Sequence, residues 1–144
     1  MNEAVLDTNV LIAAHDESHA DHKRARNFVD GLKKFHTCPQ TQGAFLRFFT
    51  RPWRDADGEE HLPRLTPAEA MERLAVILQL KEHRFLPDDF PFSKISMRSL
   101  SGFKQWNDAY LMAKANKAGV KLATLERKLE NMDNASRPVV FRIP

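Results

Sequence analysis

One cysteine, Cys38, stands in these 144 residues, and that scarcity excludes two chemistries. No internal disulfide can form, and no cysteine-based zinc site is available. Long apolar runs are missing as well, none approaching the ~20 residues needed to span a bilayer. The opening Met1-Asn2-Glu3-Ala4 has neither the basic start nor the apolar stretch of a secretory signal, so a cytoplasmic protein is expected. Charge of neither sign dominates. The chain has 22 Lys and Arg against 19 Asp and Glu, a formal net charge of +3, with pI 9.2. That balance is compatible with a nucleic-acid partner and does not by itself indicate one. There is no internal repeat, low-complexity tract or linker. With 42% apolar and 28% charged residues, the composition is that of one globular domain burying roughly 70% of its unfolded surface.

What is present alternates between strand-like and helix-like segments. Ala4-Val5-Leu6 reads as a buried strand, Asp7-Thr8-Asn9 as a turn, and residues 10–14 as a short helix. Over residues 20–32, Ala25, Phe28, Val29 and Leu32 recur at helical spacing and predict an amphipathic helix. Residues 35–38 predict a second strand, and 39–50 a helix with Phe45, Leu46, Phe48 and Phe49 on its apolar face. Proline, glycine and mixed charge make 51–65 a surface loop. Thr66-Pro67-Ala68-Glu69 is a capping signature for a helix to about Leu80 that buries Met71, Leu74, Ile77 and Leu78. Strands follow at 84–86, 120–123 and 139–143, with a helix over 105–117 closed by Gly119. Strands alternating with helices predict an α/β fold, a short parallel sheet of about five strands covered on both faces.

Ligands of an open parallel sheet bind beyond the carboxyl ends of its strands. Asp7 follows the first strand, Glu126 lies three residues after Ala123, and Asp108 opens the helix before that strand. Carboxylates so placed suit magnesium or manganese, which activate water and neutralise charge on a phosphodiester. Each acid taken singly also suits an ordinary cap. Their joint placement favours a metal centre.

The residues around these acids resemble the PIN domains. Leu6-Asp7-Thr8-Asn9-Val10-Leu11-Ile12 resembles the opening motif, Asn107-Asp108-Ala109-Tyr110-Leu111 the second acidic motif, and Leu122-Ala123-Thr124-Leu125-Glu126 the third. Cys38-Pro39-Gln40-Thr41 leading to Phe45-Leu46-Arg47, and His83-Arg84-Phe85 with Pro87-Asp88-Asp89, resemble the VapC-type toxins within that class. The resemblance implies a single PIN-like domain over residues 1–144 and an endoribonuclease dependent on Mg2+ or Mn2+. It also implies a homodimer neutralised by a small antitoxin that blocks the acidic pocket. Asp7, Asp108 and Glu126 carry over as metal ligands, Glu126 where the family usually has Asp. Asn9 and Thr124 carry over as groups that orient carboxylates or bound water. Gln42 stands where the family usually has a glutamate, which removes one negative charge from the pocket.

His15, His19 and His22 fall at helical spacing but have no acid or cysteine arranged to complete a zinc site, so a solvated helix entrance is expected. Asp88 and Asp89 read as caps for the next helix. Among Arg47, Arg51, Arg54, Lys94, Arg98 and Lys104, the candidates for RNA phosphates are Arg47 and Lys104. Phe103 and Trp106 are candidates for stacking on unpaired bases, with a core role the simpler one for Trp106. An aspartyl-nucleophile phosphatase would want a second aspartate where Asn9 stands. The other alternative is a nuclease-like fold serving as an RNA-binding or antitoxin-docking module with weakened catalysis.

Overall fold

The computed structural model describes residues 1–96, 100, 102–134 and 138–144. In chain order the elements are β1 (Glu3–Leu6), α1 (Thr8–His15), α2 (His22–Asp30), β2 (Lys34–Thr37) and α3 (Pro39–Thr50). They continue with β3 (Trp53–Arg54), β4 (Glu60–His61), α4 (Pro67–Leu78), β5 (His83–Phe85), α5 (Trp106–Ala118), β6 (Lys121–Thr124), α6 (Arg127–Met132) and β7 (Val140–Arg142). Short 3-10 turns occupy Phe92–Lys94 and Phe103–Gln105.

Five strands form one parallel sheet in the order β5-β2-β1-β6-β7, as the alternation of elements predicts. Alternate residues of each strand point to opposite faces, and the two cores follow that period. Ala4, Leu6 and Phe35 pack with α1, α2, α3 and α4, around Leu11, Val29, Phe45 and Leu74. Val5 and Leu122 face the other way, onto Leu111 and Ala115 of α5 and Leu129 of α6. From β1 the chain adds β2 and β5 on one side, then returns to place β6 on the other. The strand order therefore reverses between β1 and β6, the switch point at which an open parallel sheet forms its ligand crevice beyond the carboxyl ends.

The helix ends follow the sequence closely. Thr66 Oγ1 accepts from the Glu69 amide at 3.2 Å while Glu69 Oε1 accepts from the Thr66 amide at 3.1 Å, the expected capping box. Gly119 closes α5 with φ of +71°, a conformation that costs a residue with a Cβ.

Three expectations are corrected, and one helix is added. Residues 51–65 are not a featureless loop: β3 and β4 pair antiparallel around Gly58 at φ +80°, with the Trp53 and His61 rings stacked at 4.3 Å. Met71 is exposed, because the buried stripe of α4 runs through Ala70, Leu74 and Ile77 and turns Met71 to solvent. Asp88 and Asp89 cap no helix; they pair with Lys114 and Lys117 of α5 and tie the chain after β5 onto it. The helix α6 was not anticipated, its six residues being too few to show a period. Arg98 lies outside the described residues. No described helix is long and apolar enough to cross a membrane.

Candidate active site

Asp7 leaves β1 and starts α1, where its Oδ1 accepts from the Thr8 amide at 2.7 Å. It is therefore the cap that any aspartate there could be. Its second oxygen does something a cap does not need. Oδ2 accepts from Thr124 Oγ1 at 2.7 Å and from Asn9 Nδ2 at 3.0 Å, joining the ends of β1 and β6. Asn9 Nδ2 also reaches Thr124 Oγ1 at 3.2 Å, and Asn9 Oδ1 accepts from the Leu125 amide at 3.1 Å. Thr124 Oγ1 in turn accepts from the Glu126 amide at 3.1 Å. Asp7, Asn9, Thr124 and the backbone leading to Glu126 thus form one closed network.

The electrostatics is that of an acid pocket short of cations. Burial pushes the Asp7 carboxyl up to about 6, against hydrogen bonds from Thr124 and Thr8 that hold it down, and the charges of Asp108 and Glu126 push it further up. Asp108, in the first turn of α5, is also raised, chiefly by burial, with Lys128 opposing and Glu126 adding. Lys128 Nζ lies 3.0 Å from Glu126 Oε2 and 3.8 Å from Asp108 Oδ2, and its own pKa is raised first by the Glu126 hydrogen bond.

The three acids share this crevice without closing on a single point. Among the described residues, no three Asp, Glu, His or Cys side chains converge tightly enough to grip one ion unaided. The donor set nonetheless suits a cation, since an ammonium already stands between two of the acids and couples to the third. Magnesium needs only one or two carboxylates, keeping waters for its remaining positions.

The sequence pattern that defines the PIN domain matches residues 4–135. The chain belongs to the PIN-domain family. Ribonuclease VapC29 of Mycobacterium tuberculosis is 31% identical over 129 residues, covering 89% of each chain. Ribonuclease VapC38 of the same organism is 32% identical over 126 residues, covering 85% of this chain and 84% of its own. Two solved structures share the fold at low identity. VapBC2 from Rickettsia felis, bound to a DNA fragment from its promoter, matches with TM-score 0.62 at 10% identity, over 99% of each chain. The M. tuberculosis toxin VapC20, described as cleaving the sarcin–ricin loop, matches with TM-score 0.60 at 14% identity, over 94% of this chain and 98% of its own.

In this PIN domain the remaining candidates take partners of their own. Gln42, in the first turns of α3 beyond β2, donates from Nε2 to Thr37 Oγ1 at 3.0 Å, and Thr37 Oγ1 meets His83 Nε2 at 2.7 Å. Its amide is anchored to the sheet end and has no bond to the three acids. Arg47 folds back along α3 over Gly43, where a Cβ would come within 3.2 Å of Nη1. Lys104 is exposed beside Phe103, its Nζ 5.8 Å from the ring centre. Phe103 is 82% exposed and Trp106 39%, so neither is core. His15 and His22 give their Nδ1 atoms to the Leu11 and Ala13 carbonyls, and His19 Nδ1 accepts from the Asp21 amide.

Two residues of the crevice were not legible beforehand. Gln40 Nε2 donates to the Asn107 carbonyl at 2.8 Å, fastening the start of α3 to the start of α5 and hence to Asp108. Lys128 was hidden with α6. The available signal was Glu126 followed by Lys128, with Leu129 and Met132 three apart marking a helix that buries one side.

Proposed function

We propose that this chain is a divalent-metal-dependent endoribonuclease, the toxin of a toxin–antitoxin pair. The observation that carries the reading is the Asp7 network: a buried carboxylate held by Thr8, Asn9 and Thr124 at the strand-order switch, under the charges of Asp108 and Glu126. Asp7, Asp108 and Glu126 are the residues that would hold Mg2+ or Mn2+. When bound, such an ion supplies an activated water and positive charge against the phosphodiester. Asn9 and Thr124 fix the direction of the Asp7 oxygens, as outer-shell partners do. Glu126, 43% exposed at its side chain, has room to turn inward. Arg47 and Lys104 meet the phosphates of an RNA strand, and Phe103 offers its face to an unpaired base. The ribonuclease names of the VapC relatives support RNA as substrate, and the likeness to VapBC2 supports an antitoxin protein as partner. A homodimer and a cytoplasmic setting complete the reading.

Gln42 favours a second reading, a PIN fold whose catalysis is weakened by the missing acid and which serves by binding. One experiment separates the two. Purified protein is incubated with RNA in Mn2+, in Mg2+ and in chelator, beside Asp7→Asn, Asp108→Ala and Thr124→Val. Cleavage is expected with either metal and none in chelator. The two acid variants should fall to background, and Thr124→Val should lose about 10–100-fold. Asp7→Asn cleaving at the wild-type rate would remove the site assignment. RNA binding without metal-dependent cleavage would establish the second reading.

A further inference from the structure

Lys128 sits on the first turn of α6, two residues beyond Glu126. Among the described residues it is the cation paired with both Asp108 and Glu126, and its charge couples to Asp7 as well. The pairing sets the spacing of the pocket. An ammonium nitrogen keeps carboxylate oxygens 3.0 and 3.8 Å away here, whereas magnesium draws its ligands to about 2.1 Å. The acids therefore stand further apart around Lys128 than they would around a divalent ion. An ammonium and a divalent ion cannot both occupy this position, because their mutual repulsion would act at close range in a partly buried pocket. Lys128 can leave: its side chain is 63% exposed, and exposed ion pairs are weak.

We propose that Lys128 is the internal counter-ion of the acid pocket, displaced by the divalent metal, and that it sets how much metal the enzyme requires. The inference rests on the reading of Asp7, Asp108 and Glu126 as the metal centre. With no divalent ion bound, the ammonium offsets repulsion among three carboxylates and keeps α6 against the start of α5. Metal entry swings it outward and lets Glu126 and Asp108 close. A purely structural tether would behave differently. Its loss would weaken the fold equally with and without metal and leave metal affinity alone.

The test uses the full chain, stripped with chelator and dialysed, as wild type, Lys128→Gln and Lys128→Arg. Mn2+ binding is measured by calorimetry, and thermal unfolding is followed in chelator and in saturating Mn2+. Lys128→Gln should bind Mn2+ roughly three- to tenfold more tightly than wild type, with Lys128→Arg close to wild type because it keeps the charge. In chelator at pH 8, Lys128→Gln should melt below wild type, and saturating Mn2+ should narrow the gap. Equal or weaker Mn2+ binding by Lys128→Gln, with wild type binding normally, overturns the role of Lys128 and leaves the metal centre standing. No Mn2+ binding by either protein overturns the metal centre itself, and the counter-ion role with it.

Discussion

Asp7 is a carboxylate that folding removes from water while supplying hydrogen bonds but, among the described residues, no contacting cation. Its carboxyl rises from 3.8 to about 6, mainly through burial. A raised value means the native state holds the proton more tightly than the unfolded chain. The stabilising contribution is thus complete below about pH 4 and is lost as pH rises through about 6. A shift of about two units corresponds to ~3 kcal/mol at most. His15 and His83 act oppositely in the same window, since burial lowers both and their contribution is lost as pH falls. The clean measurement is therefore a difference. In chelator, the urea-unfolding free energy of Asp7→Asn minus that of wild type should climb between pH 4.5 and 7.5, by up to ~3 kcal/mol. A flat difference would mean that Asp7 carries no burial strain. At this scale the candidate site was partly legible: the motif spacing picked out Asp7, Asn9, Thr124 and Glu126, which share one hydrogen-bond network, and Asp108, whose charge acts on Asp7. Lys128 was not, because its role depends on a helix too short to leave a periodic trace.

Helix α5 presents Asp108, so whatever fixes α5 fixes one side of the crevice. Lys114 of α5 is buried, with 3% exposure. Its Nζ donates to the Pro87 carbonyl at 2.6 Å and pairs with Asp88. One turn earlier, Tyr110 donates to the Phe90 carbonyl at 2.6 Å and stacks on the Phe90 ring. The chain after β5 is thereby clamped along α5. Lys114→Met keeps the length and apolar stem but leaves a carbonyl and a half-exposed carboxylate without their donor, at a cost of about 1–3 kcal/mol. Lys117→Met, which breaks the more exposed pair with Asp89, should cost under ~0.5 kcal/mol. Urea denaturation of both reports the contrast, and equal losses would refute the clamp. Strands and long helices were readable because their periods are carried by apolar residues. The clamp was not, since Asp88, Asp89 and Lys114 are polar residues whose partners lie 26 or more positions apart. Nor was the β3–β4 hairpin, two residues per strand beside charged neighbours.

At the scale of the whole molecule, folding is what brings the three acids together, so a bound metal returns its binding energy as stability of the entire domain. The three acids stand at the end of β1, in the first turn of α5 and just past β6, so the site runs from Asp7 to Glu126 and no shorter piece contains it. Any ion that binds the native state alone raises the unfolding free energy by RT ln(1 + [M]/Kd), about 2.7 kcal/mol at about a hundred times Kd. Gln42 tests how far the crevice extends toward β2. Its amide is fastened to Thr37, at the end of the strand beside β1. If the site reaches Gln42, Gln42→Glu adds a negative charge to surroundings in which Asp7 and Asp108 are already raised. Without metal the extra repulsion should lower stability. With Mn2+ the added charge should strengthen binding, by ~1–2 kcal/mol for a partly desolvated site. The two curves of unfolding free energy against Mn2+ should therefore cross, with Gln42→Glu below wild type in chelator and above it at saturation. RNA cleavage by Gln42→Glu should also reach its half-maximum at a lower Mn2+ concentration. Parallel curves, with no change in the metal needed for cleavage, would place Gln42 outside the ion's reach and confine the centre to the ends of β1 and β6 and the start of α5.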